Sequence, residues 1–176
     1  HQVAPTFTDS YTVYVPDLLG HGASDPEAGP LPVSMMHGGV RVLLETATAE
    51  QPAILVGNSL GGWLSLLCGE SDAERLGRLV LVNGGGLLNM PEGLSLTPKD
   101  RAEARTLINA LRDPASQQVP DFVLDDIIEH SATGPIGRMT QAWDDMQKNL
   151  LDGRLEGIAV PTDLVWGRSD QLMKYE

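Results

Sequence analysis

The sequence predicts an α/β fold: a mostly parallel sheet with helices on its faces and a helical segment inserted between two strands. Two observations predict it. Short apolar runs alternate with helical patterns on both sides of the chain's middle, and β-α-β crossovers of that kind lay strands parallel. Between Gly84 and Gly157 the alternation stops, and three helical patterns follow with no strand pattern between them.

Thr12 to Asp17 (TVYVPD) is β-branched and aromatic, which predicts a strand. It runs into Leu18 to Pro32, a loop dense in Gly and Pro. Val33, Met36, Val40, Leu43, Leu44 and Ala47 keep helical spacing, so 33–49 reads as an amphipathic helix. Ile54 to Gly57 is a short continuous apolar run, as a buried parallel strand requires. Leu60 to Gly69 predicts a helix, and Arg78 to Asn83 (RLVLVN) the next strand. Within the helical insertion the patterns fall at 98–112, 121–130 and 138–150, the first with Thr97 as N-cap and Pro98 in its first turn. Thr162 to Gly167 (TDLVWG) is the last strand.

Composition narrows the function. The chain has 176 residues, enough for one domain with a useful core, and its 41% hydrophobic and 20% charged residues are ordinary for a globular protein. Twelve Lys plus Arg against 24 Asp plus Glu give a net charge of -12. That field repels polyphosphate, so nucleic acid and acidic membrane surfaces are poor partners. Cys68 is the only cysteine, so no internal disulfide forms, and no Cys/His cluster has zinc spacing. No apolar run is long enough to span a membrane. No metal or organic cofactor is implied. No secretory leader is legible and the first residue is not Met, so localisation and oligomeric state stay open.

The chemistry concentrates at Gly57-Asn58-Ser59-Leu60-Gly61, a Gly-x-Ser-x-Gly between a strand and a helix. A nucleophilic serine must stand clear of the sheet on a sharp turn, and side chains at the flanking positions would strike the neighbouring strand and helix. Gly57 and Gly61 answer both demands. The helix beginning after Ser59 turns its free N–H groups toward the site, and the N–H of Leu60 can donate to an oxyanion. The bland alternative is a Gly-rich turn with Ser59 as a helix cap.

These residues resemble the nucleophile turn of the α/β-hydrolase family. Two further stretches carry the resemblance: Asp17-Leu18-Leu19-Gly20-His21-Gly22-Ala23-Ser24-Asp25 matches the family's Asp-Leu-x-Gly-x-Gly-x-Ser loop, and Val160 to Asp170 matches the strand that delivers its acid. The resemblance covers the chain from about Asp9 onward and implies a hydrolase core at 1–86 and 158–176, roofed by a helical cap at 87–157. It implies Ser59 as nucleophile, Asp170 as the acid that orients the base, and the Leu60 N–H as half of the oxyanion hole. The family's alternative acid position falls in Asn83-Gly84-Gly85-Gly86, which has no carboxylate. Asp163 stands at the wrong end of its strand, and Asp17 reads as a loop-ordering carboxylate. Gly20-His21-Gly22 leads into Pro-rich loop rather than a helix, so it is no phosphate cradle.

The base is the difficulty. The resemblance places it after the acid, beyond one more strand, and the chain ends six residues past Asp170. His21 is a loop residue, His37 falls on the polar side of its helix, and His130 ends a helix of the insertion. His37-Gly38-Gly39 imitates the family's His-Gly oxyanion loop at the wrong place. The expectation is an internal part of a longer hydrolase, incomplete at both ends, lacking the base, the second oxyanion donor, and the strand that separates TVYVPD from AILVGN. Those 176 residues alone would be inactive.

For the whole enzyme the reading is hydrolysis of a small-molecule carboxylic ester with an apolar acyl group, most similar to monoacylglycerol-lipase-type and related bacterial esterases. One alternative is carbon–carbon hydrolysis of dienoate ring-cleavage products, whose acidic substrates would call on Arg101, Arg105, Arg112 or Arg138. Another is a non-catalytic binding protein on a hydrolase scaffold. Haloalkane dehalogenation needs a carboxylate where this turn carries Ser59. Leu107, Ile108, Leu111, Phe122, Val123, Ile127, Trp143 and Met146 are divided between cap core and acyl pocket, with core the default.

Overall fold

The computed structural model describes residues 3–24, 29–87 and 91–174; Asp25 to Ala28 of the predicted loop, and 88–90 at the start of the predicted cap, lie outside them. Nine longer elements are described in chain order: α1 (Val33–Ala47), β1 (Ala53–Asn58), α2 (Leu60–Ser71), β2 (Leu76–Val82), α3 (Arg101–Leu111), α4 (Asp121–Ser131), α5 (Pro135–Gln141), α6 (Trp143–Lys148) and β3 (Thr162–Val165). The strands form a parallel sheet in the order β1-β2-β3. The predicted α/β architecture is therefore present, and among the described residues only helical elements lie between β2 and β3.

One sheet face and its two helices make the core. Leu79 and Leu81 of β2 pack with Cys68 of α2, Leu44 of α1, and Val160. Burial pushes the Cys68 thiol up to about 12, which leaves it an inert core side chain. A second cluster joins Val33 and Met36 of α1 to Trp63, Leu64 and Leu67 of α2 and to Met139 of α5. The apolar stripe read along 33–49 is thus buried or half-buried as predicted. On the opposite face Ile54, Val56 and Val165 are exposed, crossed by an Arg78–Asp163 ion pair at 2.8 Å.

Three expectations are corrected. Thr12 to Asp17 forms no strand: every residue in it is exposed and none joins the sheet, where β1 is an edge. β-propensity reports fit to a paired surface, and an unpaired extended segment has no ladder to join. Thr97 does not cap α3. Asp100 does, its carboxylate accepting from the N–H groups of Ala102 and Glu103, both at 2.9 Å, while the Thr97 N–H goes to the Ser95 hydroxyl at 3.2 Å. An ionised carboxylate at an N-cap serves two orphan donors and the helix dipole together. The predicted helix at 138–150 starts earlier, at Pro135 behind Gly134, and breaks at Ala142. Its halves answer to different neighbours: Leu31 N–H donates to the Arg138 carbonyl at 2.9 Å, whereas Asp145 accepts from the Ser34 N–H at 3.1 Å and from its hydroxyl. His37 keeps polar neighbours, as its place on the helix predicted. It is half-buried between α1 and α2, its Nε2 3.2 Å from the Ser71 hydroxyl.

That contact belongs to a polar clamp at the far end of α2. Asp72 is 4% exposed and accepts from Arg41 Nε at 2.7 Å and from the Ser71 hydroxyl at 2.5 Å. Burial alone would raise the Asp72 pKa; the bonds from Arg41 and Ser71 outweigh it and hold the carboxyl below its ordinary value. A depressed folded-state pKa gives stability that is present above the unfolded value, near 3.9, and lost as pH falls through the folded one. Asp72→Asn is expected to cost roughly 1–2 kcal/mol at pH 7, the charge-assisted bonds being weakened by the exposure of Arg41. Urea melts of both proteins from pH 7 down to about pH 2.5 should show that difference closing below roughly pH 4.

Candidate active site

The parallel register sets three strand ends side by side. Asn58 of β1 is level with Val82 of β2, and Val82 with Val165 of β3. Each strand then delivers a loop to the same edge, where open parallel sheets carry their functional groups.

The first loop is one residue long. Ser59 has φ 49° and ψ -113°, a conformation rarely adopted by a side-chain-bearing residue. The surroundings hold it there. Its N–H donates to the Val82 carbonyl at 3.0 Å, and its own carbonyl accepts from the N–H groups of Trp63 (3.1 Å) and Gly85 (3.0 Å). Asn58 Nδ2 adds a bond to the same Val82 carbonyl at 3.1 Å. A Cβ on Gly57 would lie 2.2 Å from the Gly61 carbonyl oxygen, so no other residue fits there without moving backbone. The second close approach is one position later than the motif suggested. A Cβ on Gly61 would meet nothing within 4 Å, whereas one on Gly62 would sit 2.8 Å from Gly84 Cα. The sequence pattern locates the turn, but the tight packing against the loop after β2 is made by the second glycine of the pair.

Ser59 makes no side-chain cap bond to α2. The alternative reading of it as a helix cap therefore has no hydrogen bond behind it. The first helical bond runs from Trp63 N–H to Ser59 carbonyl, which leaves the N–H groups of Leu60, Gly61 and Gly62 at the helix start beside the half-buried serine.

The third loop carries Asp170. Its Oδ1 accepts from the N–H groups of Leu172 (2.9 Å) and Met173 (2.8 Å), and its Oδ2 from Asn83 Nδ2. The loop is anchored from outside as well. Gln171 N–H donates to the Ala110 carbonyl at 3.0 Å, and the Ser169 hydroxyl to Asp113 at 3.0 Å, so the end of α3 braces the carboxylate. Asp163 is engaged with Arg78 on the exposed sheet face. Asp17 accepts from the Ala23 N–H at 2.9 Å and orders its own loop, as its sequence context predicted.

No described histidine is bonded to Ser59. His21 Nδ1 lies 3.2 Å from the Leu19 carbonyl. His37 is held below its ordinary pKa by burial and by Arg41 beside it. His130 bonds within α4, its Nδ1 2.9 Å from the Asp126 carbonyl, and Asp126 raises its pKa. Among the described residues no group of His, Cys, Asp and Glu could hold a metal ion. An open depression of about 350 Å³ adjoins the Asp170 loop, lined by Leu94, Thr106, Asn109, Ala110, Gln171 and Lys174 among others.

The model of the alpha/beta hydrolase family matches residues 1–175. The chain belongs to that family. The chain is 29% identical over 188 residues to an uncharacterised protein of Mycobacterium tuberculosis, covering 93% of the chain and 55% of the relative. It is 27% identical over 191 residues to the 2-hydroxy-6-oxononadienedioate/2-hydroxy-6-oxononatrienedioate hydrolase of Cupriavidus pinatubonensis, covering 97% of the chain and 64% of that enzyme. Among solved structures it resembles a thermophilic esterase from Thermogutta terrifontis, with a TM-score of 0.69 at 21% identity, over 97% of this chain and 66% of that one. The chain thus spans between half and two thirds of the length of these relatives.

Proposed function

We propose that this chain carries the nucleophile and the acid of a serine hydrolase that cleaves small-molecule carboxylic esters. One observation carries the reading: Ser59 is held at positive φ on the end of β1, at the start of α2, with a hydroxyl that caps nothing. A structural serine gains nothing from that strain; a nucleophile gains exposure and nearby donors.

In the reaction Ser59 Oγ attacks the ester carbonyl carbon, and the carbonyl electron pair moves onto oxygen. The Leu60 N–H faces that oxyanion. A histidine outside these 176 residues takes the serine proton and returns it to the leaving alkoxide, and Asp170 holds that imidazole in orientation. Water then attacks the acyl-enzyme by the same route and frees Ser59. A second oxyanion donor from outside the chain completes the hole. Residues 87–157 act as a cap over a core made of 1–86 and 158–176. Within the cap Leu107 is buried and Ile108, Val123, Ile127 and Met146 are half-buried, which suits a packing role, whereas Leu111, Phe122 and Trp143 are exposed and suit an apolar acyl group.

The cations read as candidates for an acidic substrate are occupied. Arg101 and Arg105 pair with Asp121 and Asp125 between α3 and α4, Arg112 donates to the Gln117 carbonyl, and Arg138 to the Gly29 carbonyl. That supports a neutral ester. Carbon–carbon hydrolysis of a dienoate is the second reading; the dienedioate hydrolase among the relatives favours it, as does Lys174 on the depression beside the acid loop. The full-length protein assayed against nitrophenyl butyrate and a chromogenic dienoate should give kcat/KM at least ten-fold higher on the ester, about 1.4 kcal/mol of transition-state preference. The reverse ratio would select the second reading, and no turnover of either would favour a binding protein on this scaffold.

A further inference from the structure

The geometry points to Asn83 as a positioning residue for the acid: its side-chain amide fixes the one direction on Asp170 that is left for the base. The inference rests on the serine-hydrolase reading above. In the sequence this position stands out only for lacking a carboxylate.

Asn83 follows the middle strand of the three, between the strand that bears Ser59 and the one that bears Asp170. It leaves the sheet at φ 46°, a region where Asn is tolerated better than most side chains. Its N–H still joins the ladder, donating to the Val165 carbonyl at 3.0 Å. Both ends of the side-chain amide are used. Nδ2 donates to Asp170 Oδ2, and Oδ1 accepts from the Gly167 N–H at 3.3 Å. One planar group therefore grips the acid loop at its start and at its carboxylate.

The consequence follows from counting acceptor sites. An ionised carboxylate offers about four lone-pair directions. Oδ1 spends two on Leu172 and Met173. Asn83 takes one on Oδ2, so a single direction remains for an imidazole N–H, and Asn83 fixes where it points. Neither the backbone strain nor the two-ended grip is needed to hold the strand, whose ladder is complete through Val82. An amide at this place is also neutral. An aspartate would keep the shape and the bond from Gly167 but put a second negative charge against Asp170, and adjacent carboxylates raise each other's pKa. The added charge would raise the pKa of the base as well, so both effects move the acid limb of the activity profile the same way, to higher pH.

The experiment uses the full-length protein with Asn83→Asp and Asn83→Ala, the active fraction of each counted by covalent labelling of Ser59 with a fluorophosphonate. Per labelled site, Asn83→Asp should move the acid limb of kcat/KM up by about one pH unit. Asn83→Ala should lower kcat by roughly ten-fold with KM little changed, because only orientation in the chemical step is lost. An unshifted limb in Asn83→Asp together with normal kcat per site in Asn83→Ala would overturn the inference while leaving the serine reading intact. If Asn83→Asp fails to fold, the kcat-against-KM split of Asn83→Ala decides alone. A wild-type protein that hydrolyses its substrate without Ser59 labelling would overturn both readings.

Discussion

Replacing Ser59 by Ala should lower kcat in the full-length protein by at least about 10³-fold and abolish fluorophosphonate labelling, with no loss of stability. The two halves of that expectation have different physical origins. The rate falls because the covalent route is gone, and what survives is the contribution of oxyanion donors and binding. Stability holds because the hydroxyl makes no cap bond and the backbone bonds of the turn belong to N–H and carbonyl groups that Ala retains. A helix cap behaves in the opposite manner: its removal costs about 0.5–2 kcal/mol and leaves chemistry untouched. Kinetics and a thermal melt on one variant therefore separate the readings. Ser59→Gly sharpens the contrast. Glycine relieves the positive φ, so that variant should melt higher than Ser59→Ala by roughly 1 kcal/mol while being equally inactive.

What the sequence made legible is what local physics decides. The apolar run of β1, the glycine that must follow it and the helix formers after Ser59 are neighbours in the chain, and their meaning survives without knowledge of the rest. The same holds for the buried stripe of α1. The sequence misleads where a partner distant along the chain decides. TVYVPD has the composition of a strand, and composition cannot supply a neighbour to pair with. Gly61 and Gly62 are indistinguishable in sequence; only the approach of Gly84 makes the second the tight one. The helix read at 138–150 has continuous helical character, and its break at Ala142 follows from contacts to α1 and to the loop before it. The role of Asn83 is illegible in the sequence for the same reason. Its grip on Asp170 crosses 87 positions, and an asparagine before three glycines reads locally as a turn.

Asp170→Asn should lower kcat/KM by about 10³- to 10⁴-fold at neutral pH, with KM close to unchanged, whereas Asp163→Asn should leave both within a factor of two. The loop should survive the first change. Asn can present its amide oxygen to the Leu172 and Met173 N–H groups, which are the bonds that shape the turn. The loss falls on the other atom. With the oxygen committed to those donors, the NH₂ of the new side chain faces Asn83 Nδ2, and two donors meet where a donor and an acceptor stood. The base then finds an N–H instead of an acceptor, so the imidazole is held in the wrong tautomer and its developing charge has no counter-ion. Asp163 has no part in this, since its carboxylate faces Arg78 across exposed sheet and the pair is worth little in solvent. Adding Asn83→Asp to Asp170→Asn should recover part of the lost rate, because that double variant puts back one carboxylate at the same edge of the sheet. A plain sum of the two single losses would mean that the side chains act independently; recovery would show that they share one task, as groups in contact do.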